Sequence, residues 1–186
     1  MKKTLFAIAL FTGLVASAQS TWKSDKSHSK IGFAITHLMI SEVEGSFGDF
    51  DITATASDTF ENAEFSVEIQ TASIDTDNER RDGHLKSADF FDAEKFPTIS
   101  FKSTGYSKTG DKTFTLTGDL TMHGVTKPVT LEGKVNGIIT DQRSNKLKAG
   151  LKLTGTINRL EFGVGGDTPT LGDDVEMTIN LEMAQQ

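Results

Sequence analysis

The residues of this chain that could do chemistry are few and scattered. No two of its four histidines, His28, His37, His84 and His123, stand two or four positions apart. His-Glu-x-x-His is also absent, so no local metal pair is written into the sequence. Asp75, Asp77 and Glu79 begin like a calcium loop, but Arg80 stands where glycine is needed and Lys86 where a bidentate carboxylate is needed. Gly163, Gly165 and Gly166 do not open a helix after a strand, as a dinucleotide loop requires. Gly-x-Ser-x-Gly is missing, and Ser27, His28 and Ser29 are chain neighbours without an orienting acid. Extended backbone at Asp173 and Asp174 points their carboxylates to opposite faces, which suits a strand start better than acid/base work. Arg80 and Arg81 are strong bidentate donors; on a short helix they offer either a grip on a phosphate head group or a solvated face. The chain has no cysteine, which removes disulfides, thiolate nucleophiles and cysteine metal sites. No catalytic residue, no metal site and no cofactor is expected.

The elements around these residues are almost all strands. Ile31, Phe33 and Ile35 alternate with polar or small neighbours, the period of two of a strand with one buried face. A pattern blurred by Gly45 and Gly48 covers Val43 to Ala54. Ala63, Phe65, Val67 and Ile69 alternate cleanly, and Ile99 and Phe101 resume the pattern. Phe114, Leu116, Leu120 and Met122 share one face. Val129, Leu131 and Val135 follow, then Leu147, Leu151, Leu153 and Ile157, and last Val175 to Met183. Turn chemistry at Thr109-Gly110-Asp111, His123-Gly124-Val125 and Asp141 to Asn145 separates neighbours by too little chain for crossovers. About eight antiparallel strands in a sandwich or a barrel are expected, and closure would remove exposed edges.

One stretch breaks the pattern. Between Asp75 and Phe101 the alternation stops, and Asn78 can cap a short helix with Glu79 at its positive end. Gly83 weakens the middle of that helix, and Phe96-Pro97 returns the chain to extended form. Phe90, Phe91 and Phe96 follow the helix, so residues 78–91 read as a helical lid or plug against an apolar opening.

At 186 residues with a net charge of −7, the chain has the length for one domain and no basic run for nucleic acid. Residues 1–18 have the form of a cleaved signal peptide, with Lys2 and Lys3, an apolar run from Leu5 to Val15, and Ala16-Ser17-Ala18 before the cut. The run is too short for a permanent membrane span and no lipoprotein cysteine follows it. A single domain over residues 19–186, periplasmic or secreted, is the expectation. Thirteen phenylalanines against one tryptophan and one tyrosine give inward faces with few donors to satisfy. Such faces suit a packed core, and they equally suit a dry cavity for one small ligand.

Several motifs resemble the YceI-like family of exported bacterial proteins. Arg81-Asp82-Gly83-His84-Leu85-Lys86-Ser87-Ala88-Asp89-Phe90-Phe91, followed by Phe96-Pro97-Thr98-Ile99-Ser100-Phe101, carries the likeness most specifically. Asp25 to Phe33 with His37, Val43 to Phe47, Gly118 to Val129, and Asn158 to Gly163 with Asp174-Val175 extend it over nearly the whole mature chain. The resemblance implies a lipocalin-like, eight-stranded antiparallel β-barrel. It also implies that the barrel holds a long apolar molecule, a polyisoprenoid, prenyl quinone or fatty amide, with no established catalysis.

On that reading the apolar lining is expected from Phe33, Ile35, Phe47, Phe65 and Val67, from Phe90, Phe91 and Phe101, and from Leu116, Leu120 and Met122. Leu151, Phe162 and Met177 complete it, with His37, Arg81 and His84 at the mouth to meet a polar head. The expected partner is the apolar small molecule; transient contact with membrane lipids and a homodimer stay open. Two other readings also stay open: an enzyme or redox-assisting factor acting on a quinone or lipid, and a filled barrel that binds protein partners.

Overall fold

The computed structural model describes residues 19–186, so the expected signal peptide, 1–18, lies outside the described residues. Eleven strands form one antiparallel sheet: β1 (Ser20–Ser24), β2 (Lys30–His37), β3 (Ser41–Phe47), β4 (Phe50–Ala56), β5 (Glu64–Gln70), β6 (Ile74–Asp75), β7 (Thr98–Lys108), β8 (Thr113–Met122), β9 (Val125–Thr140), β10 (Leu147–Asn158) and β11 (Leu171–Gln185). The sheet closes because β11 uses one edge twice. Its C-terminal part pairs with β1 through Met183 to Gln185, and its N-terminal part pairs with β2 through Leu171 to Asn180.

The eleven strands are eight runs, three of which are broken in the middle. A 3-10 turn at Lys26–His28 separates β1 from β2, Gly48-Asp49 separates β3 from β4, and a 3-10 turn at Thr71–Ser73 separates β5 from β6. Counted as runs, the wall is a closed eight-stranded antiparallel barrel, as the resemblance implies; the alternation by itself implies about eight strands in a sandwich or a barrel. The pattern over Val43 to Ala54 is therefore two strands and not one. Phe47 and Phe50 are both buried although three positions apart, which a single strand of period two does not permit. The break at Gly48-Asp49 resets the phase.

The connections follow local chemistry. His123 and Gly124, with φ of 51° and 77°, make the two-residue turn between β8 and β9, the left-handed pair that matches strand twist. Asp141 Oδ1 accepts from the amides of Arg143 (2.7 Å) and Ser144 (3.3 Å), which shapes the β9–β10 turn.

Inside, the two ends of the barrel differ. At the end where β9 turns into β10, Trp22, Phe60, Phe65, Phe114, Leu116, Leu151 and Met183 fill the lumen. Trp22 meets Phe60 edge-on at 5.1 Å and donates its indole N–H to the Ala56 carbonyl at 3.4 Å, so burial leaves no donor unpaired. The other end is hollow.

Candidate functional site

The hollow end holds a cavity of about 430 Å³. Its wall comes first from the broken runs: Phe33, Ile35 and His37 from β2, Val43 and Phe47 from β3, Ile69 from β5 and Ile74 from β6. Ile99, Leu120, Met122, Ile157, Val175 and Met177 close the ring from β7, β8, β10 and β11. These side chains fall on one face of each strand for the reason the alternation exists, since successive Cβ atoms point to opposite sides.

The remaining wall is the excursion between β6 and β7, where the strand ladder stops. Its helix, α1 (Glu79–Lys86), starts where the capping residue requires: Asn78 Oδ1 accepts from the Arg81 amide at 3.0 Å. Leu85, Phe90 and Phe91 turn into the cavity, with Phe91 edge-on to Phe47 at 6.0 Å. Thr71, fully buried, ties the end of the excursion to the sheet. Its amide donates to the Pro97 carbonyl at 2.9 Å and its hydroxyl to the Phe96 carbonyl at 2.8 Å. The segment expected to be a lid, 78–91, borders the cavity through Arg81, His84, Leu85, Phe90 and Phe91. Phe96 lies off the cavity, packed edge-on against His123 at 4.6 Å.

Of the expected lining residues, Phe33, Ile35, Phe47, Phe90, Phe91, Leu120, Met122 and Met177 border the cavity, as do His37, Arg81 and His84. Six others do not. Phe65, Leu116 and Leu151 face inward but sit in the filled end, and Val67 is half-buried against that core. Phe101 is buried with its ring over Gly118, where a Cβ would collide with it, and it does not border the cavity. Phe162 is buried in the 3-10 turn after β10, outside the cavity wall.

Of the polar groups on the cavity, His37 and Arg81 are half-buried and His84 is exposed. Arg81 donates from Nε to Thr76 Oγ1 at 2.7 Å and from Nη2 to the Thr76 carbonyl at 2.6 Å, so much of its fork is committed internally. Thr76 Oγ1 in turn donates to Asp82 Oδ1 at 2.5 Å. His84 meets Phe90 edge-on at 5.0 Å and lies 3.4 Å from Asp89 Oδ2.

Arg159, absent from the expected lining, is the most buried charge on the cavity, with 3% of its surface exposed. It donates to the carbonyls of Gly172 (2.8 Å), Val164 (3.0 Å), Gly166 (3.0 Å) and Leu171 (3.4 Å), and reaches Asp173 Oδ1 at 3.4 Å. One guanidinium therefore gathers the 163–173 loop at the mouth, and backbone dipoles replace the water it has lost. The signal available in the sequence was an arginine directly after an alternating apolar strand.

Among the described residues, one group of possible metal ligands lies within mutual reach: Asp25, His28 and Glu182. They are engaged with protein partners, His28 Nδ1 with Asp25 Oδ2 at 3.0 Å and Glu182 with Lys148 Nζ at 2.8 Å. They also lie away from the cavity, where His37 and His84 are the two histidines present.

A closed eight-stranded antiparallel barrel, filled at one end and hollow, apolar and open at the other, has the lipocalin-like architecture. Residues 22–183 match the YceI-like domain. The chain is 40% identical to a UPF0312 protein of Pseudomonas putida, over 100% of this chain and 99% of that relative. It also matches the crystal structure of a Campylobacter jejuni YCEI protein, at 34% identity and a TM-score of 0.76, covering 87% of this chain and 96% of that one. A polyisoprenoid binding domain from Saccharophagus degradans has the same fold at 12% identity, with a TM-score of 0.66 and coverage of 89% and 98%. The chain belongs to the YceI-like family.

Proposed function

We propose that this protein is an exported carrier that holds one long apolar molecule in the hollow end of its barrel. The observation that carries the reading is the cavity itself: about 430 Å³, walled mainly by aliphatic and phenylalanine side chains, with His37, Arg81 and His84 half-buried or exposed beside it. That volume falls within the range of about 300–1,000 Å³ usual for small-molecule sites. Apolar surface moved from water into such a wall gains roughly 25 cal/mol per Å². The contacts are non-directional, so selection acts on length and width more than on functional groups. A polyisoprenoid, a prenyl quinone or a fatty amide has the required shape. His37, His84 and the free part of Arg81 would meet its polar end.

The likeness to a solved polyisoprenoid binding domain supports this reading by analogy of fold. The amino-terminal pattern of residues 1–18 supports release into the periplasm or the medium. The reading assigns the protein no catalytic step and no cofactor apart from the ligand.

The test is native mass spectrometry of the mature protein purified without detergent, followed by organic extraction. A stoichiometric prenyl or long-chain lipid is the expected result. Protein that is empty and also refuses added prenyl quinone would sink the proposal.

A further inference from the structure

Four large apolar side chains are exposed among the described residues, and three of them are consecutive: Leu38 at 49%, Met39 at 79% and Ile40 at 86%. They form the tip of the β2–β3 hairpin. Leu38 and Met39 have φ of 52° and 61°, a left-handed conformation that glycine or asparagine adopts at less cost. The tip is nevertheless bonded in place. The Leu38 amide donates to the Thr170 carbonyl at 2.8 Å, the Ile40 amide to the His37 carbonyl at 3.2 Å, and Ser41 Oγ to the same carbonyl at 3.3 Å. Apolar side chains are thus held out into water by an ordered turn whose residue types suit neither the turn nor the solvent.

The tip is also continuous with the cavity. His37, Thr170 and Leu171 border the cavity, and His37 pairs with Leu171 across the β2–β11 ladder. We infer that Leu38, Met39 and Ile40 insert into the interfacial layer of a phospholipid bilayer and set the cavity mouth against it. An apolar ligand would then pass between bilayer and barrel without crossing water. This inference rests on the carrier reading above.

Size favours a bilayer as the occupant. Three side chains on one turn are far short of the roughly 800 Å² per partner of a stable protein interface. A bilayer asks only for apolar depth. No basic residue lies between Ile31 and Met39 except His37, Glu42 and Glu44 follow, and the chain carries −7 overall. Arg81 and His84 lie on the same cavity wall, so the mouth carries charge of both signs, and insertion of the tip should not require anionic lipid.

The chain has no cysteine, so Met39→Cys provides a unique thiol for an environment-sensitive NBD label. Gln142→Cys, in the β9–β10 turn at the opposite end, provides the control. Phosphatidylcholine vesicles should shift the label at 39 to the blue and brighten it, and should leave the label at 142 unchanged. A second arm compares Met39→Asp/Ile40→Asp with wild type for uptake of farnesol. Uptake from aqueous solution should be equal, while uptake from phosphatidylcholine vesicles should slow by about tenfold or more, because two charged side chains cannot enter the bilayer interface.

No response at 39, or equal responses at both positions, overturns the inference. So does equal extraction from vesicles by both proteins. A self-association that the double variant abolishes, with no vesicle response, overturns it too and assigns the tip to a second copy. Wild type that takes up farnesol from neither source removes the carrier reading, and the label at 39 then still decides the docking by itself.

Discussion

The ring of Phe33 lies against the backbone of Gly45, its partner across the β2–β3 ladder. A Cβ at position 45 would stand 2.8 Å from Phe33 Cε1 and 2.8 Å from Thr76 Cγ2, closer than such atoms approach. The missing side chain lets the ring lie along the wall, and the lumen beside it stays open. Gly45→Ala should therefore push Phe33 into the cavity. The expected cost is about 1–3 kcal/mol of stability, as for other overpacked sites, together with weaker uptake of a prenyl quinone. Urea denaturation and ligand titration read the two effects. Reduced stability with unchanged uptake would mean that the ring escapes in another direction.

The two ends of the barrel should respond differently to the same deletion. Phe114 is fully buried in the filled end and stacks on Tyr106 at 4.9 Å, so Phe114→Ala should cost about 3–5 kcal/mol. Phe91 borders existing space, so Phe91→Ala removes fewer packed neighbours and should cost about half as much. It should also admit a bulkier ligand. Equal costs in urea denaturation would show that the hollow end is as tightly filled as the other.

Arg159→Lys retains the charge and removes the fork that reaches four carbonyls. Its ion pair with the half-exposed Asp173 adds little, so the main effect is on hydrogen bonding to backbone. A destabilisation of at least about 2 kcal/mol is expected, with faster amide exchange across residues 163–173. Exchange that stays at its wild-type rate would show that the loop is held by its own turns.

Tyr106 is the only tyrosine, so its titration can be read alone. Burial first, and the nearby Glu61 carboxylate second, raise its hydroxyl above the ordinary 10.0, while Lys108 opposes the change. The folded state then holds this proton more tightly than the unfolded chain does. The resulting stability is fully present below pH 10 and is lost as pH rises through the folded value. Tyrosinate absorbance should appear above pH 10 in native protein and return to the ordinary value in urea. Tyr106→Phe should flatten this alkaline loss. A native midpoint at 10 or lower would place the hydroxyl in water.

Much of the wall is legible in the residues themselves. The alternation of Phe114, Leu116, Leu120 and Met122 is β8, and Val175 to Met183 is the inward face of β11. Asn78 caps its helix, and His123-Gly124 turns the chain, because caps and tight turns depend on residues adjacent in sequence. The break inside Val43 to Ala54 is harder to see. Gly45 and Gly48 blur the pattern equally, yet the first only makes room for Phe33 and the second ends the strand.

By itself, then, the sequence determined the all-β class, the turn positions, the capped helix and the membership of the YceI-like family. Tertiary structure alone decided which inward faces meet across a filled lumen and which surround space. Phe33 and Phe65 obey the same period of two, and one borders the cavity while the other is core. A strand's alternation reports that one side is buried, but the distance to the opposite wall, and the side chains that reach across it, depend on all eight runs together. The same holds for Arg159 and for the hairpin tip. The Leu38 amide of the tip meets the Thr170 carbonyl from a segment remote in the chain, whereas the partners of Arg159 lie in the loop just after it and are gathered only by the way that loop folds back.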